Sequence, residues 1–304
     1  MRKHDSIESA ALIGPGRVGQ AMGHLLAESG VPIAFIAGRK LAAVRRAARF
    51  VGKGVPLALS DSRLLSASVF LITTSDSAIA EVATTLALRE NSKDGWRGKV
   101  VLHACGALPS AILNPLKLRG AAIGSLHPFQ TVPSPDAGVR NLRGCFWALE
   151  GDPRALRVAR RWVKQLGGVA FSIRPEMKTL YHLSAFIVCP TVVTLMAQAA
   201  SLLKSAGVPE RISRPMLRQF VAETARNFDD LGGREALTGP AVRGDWETIR
   251  SHLTVLRQAA PEFEPVYQSL LKAMLTLAGA KGTTSAIRTS KSIGKWQQSK
   301  VKSQ

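Results

Sequence analysis

The sequence predicts an α/β protein: an N-terminal, doubly wound parallel sheet over residues 1–174, then an all-helical domain over 175–280. Three observations carry this. Up to residue 176 short apolar runs alternate with amphipathic stretches, the pattern of a sheet covered by helices on both faces. From 177 onward the chain reads as four helices, 177–206, 210–229, 245–258 and 263–279, with no strand between them. The third is the opening run, "SAALIGPGRVGQAMGHLLAESG", which passes from an apolar strand through three glycines into an amphipathic helix.

That run places GxGxxG in the context the motif requires, strand before and helix after. Gly14 permits the tight turn, Gly16 lets a pyrophosphate reach the backbone, and Gly19 lets the helix pack on the strand. Gly14, Pro15, Gly16, Arg17, Val18 and Gly19 are therefore the expected cofactor cradle, with the helix N-terminus supplying N–H donors and a positive dipole end. Such a Rossmann arrangement reads the ribose at the end of its second strand, here "VPIAFIAGRK" (31–40). Where an NAD-binding chain places a carboxylate for the 2′-hydroxyl, this one places Arg39 and Lys40, with Arg45 and Arg46 following. A guanidinium binds a 2′-phosphate bidentately, so the expected cofactor is NADP.

Further strands follow at 66–76, 99–107, 121–129 and 144–152, with a last one at 169–176. Their carboxyl ends, where ligands lie in such sheets, carry Thr74-Ser75-Asp76, His103 with Cys105-Gly106, and His127-Pro128. Thr74, Ser75, His103 and Gly106 are expected around the nicotinamide. Helix capping explains Thr74-Ser75-Asp76 equally well, and His103 equally suits a core histidine. His127, read as standing in an exposed turn, is expected to meet substrate.

In the helical half, Lys178, Tyr181 and His182 stand at i, i+3 and i+4 and so share one face at the head of a long apolar helix. Residues 183–203 are 21 consecutive uncharged positions, long enough for a membrane span, but Pro190, Gln198 and several hydroxyls favour a helix buried between domains or subunits. In "ALTGPAVRGDWETIRSHL" (236–253), Asp245 is the expected N-cap of the next helix. Arg243 just before it is either solvated or part of a carboxylate site at that helix end.

Composition narrows the classes of function. Three dispersed cysteines, without CxxC or a Cys/His cluster, argue against disulfides and structural zinc and for a reducing, cytoplasmic setting. The net charge of +20 suggests a nucleic-acid partner. Its excess lies in residues 1–174 (24 basic against 11 acidic side chains) and in 281–304 (six against none), with no accompanying recognition motif. Nucleic-acid and membrane partners are therefore not expected. The 281–304 tail, basic and aperiodic, is expected to be disordered.

The motifs "IGPGRVG" (13–19), "HACGAL" (103–108), "SLHPFQT" (125–131), "LEGD" (149–152), "KTLYHLSA" (178–185) and "LTGPAVRGD" (237–245) carry a resemblance. The chain resembles the pyrroline-5-carboxylate reductase, 6-phosphogluconate dehydrogenase and ketopantoate reductase group. More closely it resembles the bacterial family pairing a Rossmann-like domain with a C-terminal domain of unknown function, which includes the alternative type of ketopantoate reductase. The resemblance implies a nicotinamide-linked reductase, a helical domain like that of 6-phosphogluconate dehydrogenase, and a homodimer through that domain. It departs from the family at Cys105, usually serine, and at Cys189-Pro190, usually Ser-Asn.

In the related hydroxyacid dehydrogenases a Lys-x-x-x-Asn pair handles the proton and the substrate oxygen, and here that pair maps to Lys178 and His182. The expectation is an NADPH-dependent oxidoreductase acting on a small 2-oxo or imino acid, ketopantoate foremost. Lys178 is the leading proton donor and His182 the second; His127, Tyr181, Thr238 and Arg243 are substrate-side candidates. Two alternatives stand beside it. The "HPF" turn suggests prephenate or arogenate dehydrogenase, and Cys189-Pro190 suggests a dinucleotide sensor that has lost catalysis.

Overall fold

The computed structural model describes residues 9–89 and 95–279; the basic tail at 281–304 lies outside the described residues. In chain order, the first part runs β1 (Ala10–Ile13), α1 (Arg17–Glu28), β2 (Ile33–Gly38), α2 (Leu41–Val51), β3 (Val55–Ala58), β4 (Val69–Ile72) and α3 (Ile79–Ala87). It continues through β5 (Val100–His103), α4 (Asn114–Lys117), β6 (Ala122–Pro128), α5 (Pro135–Asn141), β7 (Phe146–Gly151), α6 (Pro153–Gln165) and β8 (Val169–Ser172).

The eight strands form one sheet in the order β3-β2-β1-β4-β5-β6-β7-β8. The fold class is as expected, an α/β sheet followed by a helical region, with two additions. The sequence analysis misses β3, a four-residue edge strand containing Pro56, whose missing N–H is tolerated only at an edge. The other is the direction of one strand in a mostly parallel sheet: β7 runs antiparallel to β6, and β8 pairs parallel to β7. The reason is the connection. Antiparallel neighbours join at one end of the sheet without a crossover, and α5 stays beside α1: a Cβ at Gly138 would stand 2.6 Å from the Ala21 Cβ. The pairing also needs Gly151, at φ +134, since a Cβ there would meet the Gly124 Cα and Ile123 O, both at 2.5 Å.

Side chains alternate through the sheet into two cores. Ala10 and Leu12 face α1, α2 and α6, while Ala11 and Ile13 face α3 and α4. Strands buried on both faces read as continuous apolar runs, which is why they are visible in the sequence.

After β8 come α7 (Lys178–Ser205), α8 (Glu210–Leu231), α9 (Pro240–Arg243), α10 (Trp246–Ala259) and α11 (Glu264–Leu277). The chain forms two compact units that divide between Pro190 and Thr191, inside α7; the sequence analysis places the junction at 174/175. In the second unit Ala241, Ile249, Leu253, Leu271 and Leu275 make a small core. Asp245 caps α10 as expected, its carboxylate accepting from the Thr248 N–H at 3.1 Å and its hydroxyl at 2.7 Å.

Lys178 is the only buried residue of α7. Leu180, Leu183, Phe186, Ile187, Val188 and Val193 are exposed, as are Phe220 and Phe228 of α8. The segment Pro175–Ser205 is long and apolar enough to cross a membrane.

Candidate active site

The glycine turn opens a cleft of about 430 Å³ at the carboxyl ends of β1, β2 and β4. Gly14 sits at φ +82, and a Cβ there would stand 2.4 Å from the Thr74 methyl; at Gly19 it would stand 2.2 Å from Thr73 Oγ1. These two glycines close the packing between helix and strand. Gly16 differs, since a Cβ there would meet only Thr73 O, at 3.7 Å, so its backbone lies open to a ligand. The first bond within α1 is Gln20 N–H to Gly16 O at 3.0 Å, leaving the N–H groups of Arg17, Val18 and Gly19 to the cleft end of the helix. Pro15 packs against Gly38, where a Cβ would stand 3.0 Å from its ring.

Arg39 and Lys40 line the same cleft, both exposed at the end of β2. Thr74 and Ser75 line it too, and Thr74 Oγ1 is buried without a protein partner, a polar atom that a bound nicotinamide or ribose would satisfy. A dinucleotide therefore fits: N–H donors for the pyrophosphate, cations for the ribose end, and a free hydroxyl beyond.

A second group of side chains gathers at the ends of β5 and β6. His127 and Pro128 belong to β6, paired with Ala148 and Trp147, rather than to the exposed turn the sequence analysis assigns them. The first turns of α7 bring three residues over this end. His127 Nδ1 lies 2.8 Å from Tyr181 Oη, and the His127 and His182 rings are 6.0 Å apart. Both imidazoles cover Gly106. A Cβ there would stand 2.7 Å from His127 Nε2 and 2.8 Å from His182 Cδ2. Phe129 and Phe171 flank Tyr181 at ring distances of 5.4 and 6.0 Å.

Lys178 shares that face of α7 but turns under the site, 1% exposed. Its Nζ donates to Cys105 O at 2.9 Å and to Ser125 Oγ, and lies 3.9 Å from Glu150 Oε1. The Glu150 carboxylate is held in turn by the Ser110 N–H at 2.6 Å and hydroxyl at 2.7 Å. Burial lowers the Lys178 pKa against the opposing pull of Glu150. Glu150, Ser110 and Ser125 were not among the residues expected at the site. Glu150 had a signal, a lone carboxylate inside an otherwise apolar strand; the serines had none.

Burial, followed by the charge of Lys178, lowers His127 to about 3 and His103 to about 3. Burial raises the Tyr181 phenol. His103 is fully buried at the end of β5, its Nδ1 accepting from the Cys105 N–H at 3.1 Å, while its Nε2 is buried without a protein partner. The Cys105 thiol, pushed up to about 11 chiefly by burial, accepts from the Leu108 N–H at 3.3 Å. Thr238 and Arg243 lie in the helical unit, both exposed, Arg243 at the end of α9.

Comparison with known proteins agrees with this layout. A Rossmann-like domain model matches residues 4–128, and the model for a domain of unknown function, DUF2520, matches 145–274. The DUF2520 match begins at β7, where the sheet turns antiparallel, so the His127–Tyr181 contact joins a residue of each domain. No curated protein matches the sequence. Among solved structures, a candidate NADP oxidoreductase of Bacteroides fragilis is 24% identical, with TM-score 0.70, covering 88% of this chain and 99% of its own. A Thermotoga maritima protein is 23% identical, with TM-score 0.66 and coverages of 90% and 99%. An imine reductase of Streptomyces aurantiacus is 17% identical, with TM-score 0.62 and coverages of 92% and 99%. At these identities the likeness is one of fold.

Proposed function

We propose that this protein is an NADPH-dependent reductase of a small 2-oxo or imino acid, with ketopantoate the first substrate to test. The observation that carries the reading is the pairing of Gly16 with Arg39 and Lys40 in one cleft: an open backbone for the pyrophosphate and two cations where a 2′-phosphate would lie. The nicotinamide supplies hydride; the chain has to orient the acceptor and handle the proton. Thr74 and Ser75 are the candidates for positioning the ring.

Of the two expected proton donors, His182 borders Gly106, and Lys178 is held below by Cys105, Ser125 and Glu150. The reading gives His182 the donor's part and Lys178 the electrostatic support. Thr238 and Arg243 stay candidates for the substrate carboxylate. A second copy of the chain is the proposed partner, since the large apolar side chains that α7 exposes, Leu180, Leu183, Phe186, Ile187, Val188 and Val193, need a cover. Three free cysteines suit a reducing cytoplasm.

The test is NADPH oxidation with ketopantoate, pyrroline-5-carboxylate and a panel of 2-oxo acids, followed by absorbance. Arg39→Asp should weaken NADPH by at least about tenfold, roughly 1.4 kcal/mol, and leave NADH nearly unchanged. An unaltered cofactor ratio would sink the NADP assignment, and NADPH binding without turnover would favour a sensor.

A further inference from the structure

We infer that one layer of helices on the sheet, formed by α2, α1 and α6, docks a nucleic-acid duplex through its phosphates, without reading sequence. The inference is independent of the reductase reading.

The observation is a convergence of charge. Residues 29–60 hold six cations and no acid, and residues 153–173 hold five cations and no acid. The two runs are distant in the chain, yet their helices bury apolar sides in the same core. Val44, Ala47 and Val51 of α2 meet it from one side, and Val158, Ala159 and Trp162 of α6 from the other. Burying those stripes turns the remaining positions outward. Arg45, Arg46, Arg49 and Lys53 are exposed on and just after α2, and Arg154, Arg157, Arg160, Arg161 and Lys164 are exposed along α6.

The layer is continuous. His24 Nδ1 of α1 lies 3.1 Å from Phe50 O of α2, and Ser29 Oγ at the end of α1 donates to Gln165 O of α6 at 3.4 Å. Helices in contact pack about 10 Å apart, so the two basic helices stand roughly 20 Å apart across α1. Among the described residues no carboxylate pairs with Arg45, Arg46, Arg49, Lys53, Arg157 or Lys164, and Glu28 of α1 is engaged by Arg143. The opposite layer differs. There Arg63 is paired with Asp61 and Lys117 with Asp152.

Fixed cations without neighbouring carboxylates answer a regularly spaced polyanion. A duplex carries one charge per about 1.7 Å of its axis and releases counterions as cations meet its phosphates. Phosphate contacts position a protein without reading bases, so the lack of a recognition motif in the sequence is no obstacle. A single strand asks for exposed aromatic rings to stack on. Here Phe50 rests against His24, ring centroids 5.6 Å apart, and Trp162 is buried. A lipid surface asks for apolar anchors among the cations, and on α2 and α6 only Leu41 exposes a large apolar side chain.

The test is fluorescence anisotropy of a labelled DNA duplex of about 20 base pairs, titrated with full-length protein between about 50 and 300 mM KCl. The expected Kd is about 1–100 μM near physiological salt, with a log Kd–log salt dependence of about fourth power or steeper. Arg49→Gln with Lys53→Gln, and Arg157→Gln with Lys164→Gln, should each weaken binding at least about tenfold and lower that power by about 2. Arg157→Lys, which keeps the charge, and Arg211→Gln with Arg218→Gln on α8 should bind as wild type does. A second duplex of unrelated sequence should bind equally. The inference is overturned by no binding at the lowest salt, by a loss confined to one of the two helices, or by binding that survives both pairs of changes, which would assign it to other cations. Tighter binding to a single strand, or to vesicles of phosphatidylcholine and phosphatidylserine, would overturn it as well.

Discussion

At Gly106 a single hydrogen stands where any other residue would place a carbon, and two imidazoles depend on it. Gly106→Ala would set a methyl 2.7 Å from His127 Nε2 and 2.8 Å from His182 Cδ2, closer than such contacts allow. His127 is held from behind by Tyr181, so its ring cannot retreat without losing a hydrogen bond worth about 1 kcal/mol. The expected outcome is a fall in kcat/KM of about tenfold or more, a loss of roughly 1.4 kcal/mol of transition-state stabilisation, in a protein that unfolds at the same urea concentration. Activity equal to wild type would show that the packing of the two imidazoles on Gly106 does not matter to the chemistry.

The element that joins the two halves of the site is the first turn of α7. Most of that helix exposes apolar surface, yet its first residue is the buried one, because Lys178 anchors it to β6, β7 and the loop after β5. Lys178→Met would leave Glu150 buried with only Ser110 for company, a type of change that costs about 3–5 kcal/mol. Removing the charge as well, in Lys178→Met with Glu150→Gln, should restore much of that stability in urea unfolding, since an apolar and neutral pair avoids the desolvation penalty. If the double variant is no more stable than the single one, the 3.9 Å approach is not an ion pair that matters to the fold. The carboxylate also explains why Ser110, otherwise an unremarkable loop residue, is buried.

For the molecule as a whole, two buried histidines make stability depend on pH. His103 and His127 are lowered to about 3 in the fold, whereas an unfolded chain holds them near 6.5. Below 6.5 the unfolded state binds more protons than the native one, so stability is highest above that pH and declines as pH falls from 6.5 toward 3. Tm should therefore drop across pH 6.5 to 4, and His103→Gln should flatten the decline; an unchanged slope would assign it to other groups. The second expectation concerns association. Phe220 is 72% exposed, and α7 and α8 present apolar side chains along much of their length. Sedimentation should find a dimer, and Phe220→Asp with Phe228→Asp should yield a monomer or an insoluble chain. A monomeric wild type would leave the apolar helices to some other cover.

The sequence by itself determined the β1-turn-α1 cradle, the cations after β2 and the four long helices. Each is a local pattern: glycines at fixed spacing, a charge counted from them, a periodicity of 3.6. It also determined that Lys178, Tyr181 and His182 share a face, because helical spacing alone requires it. Only the tertiary structure decided what that face meets. Nothing local says that β7 turns antiparallel, that Glu150 would wait beneath Lys178, or that His127 lies in a strand with its ring over Gly106. Those outcomes depend on strands brought together across tens of residues, and burial there sorts one face of α7 into a lysine held in the core and a tyrosine and histidine packed against His127 and Gly106.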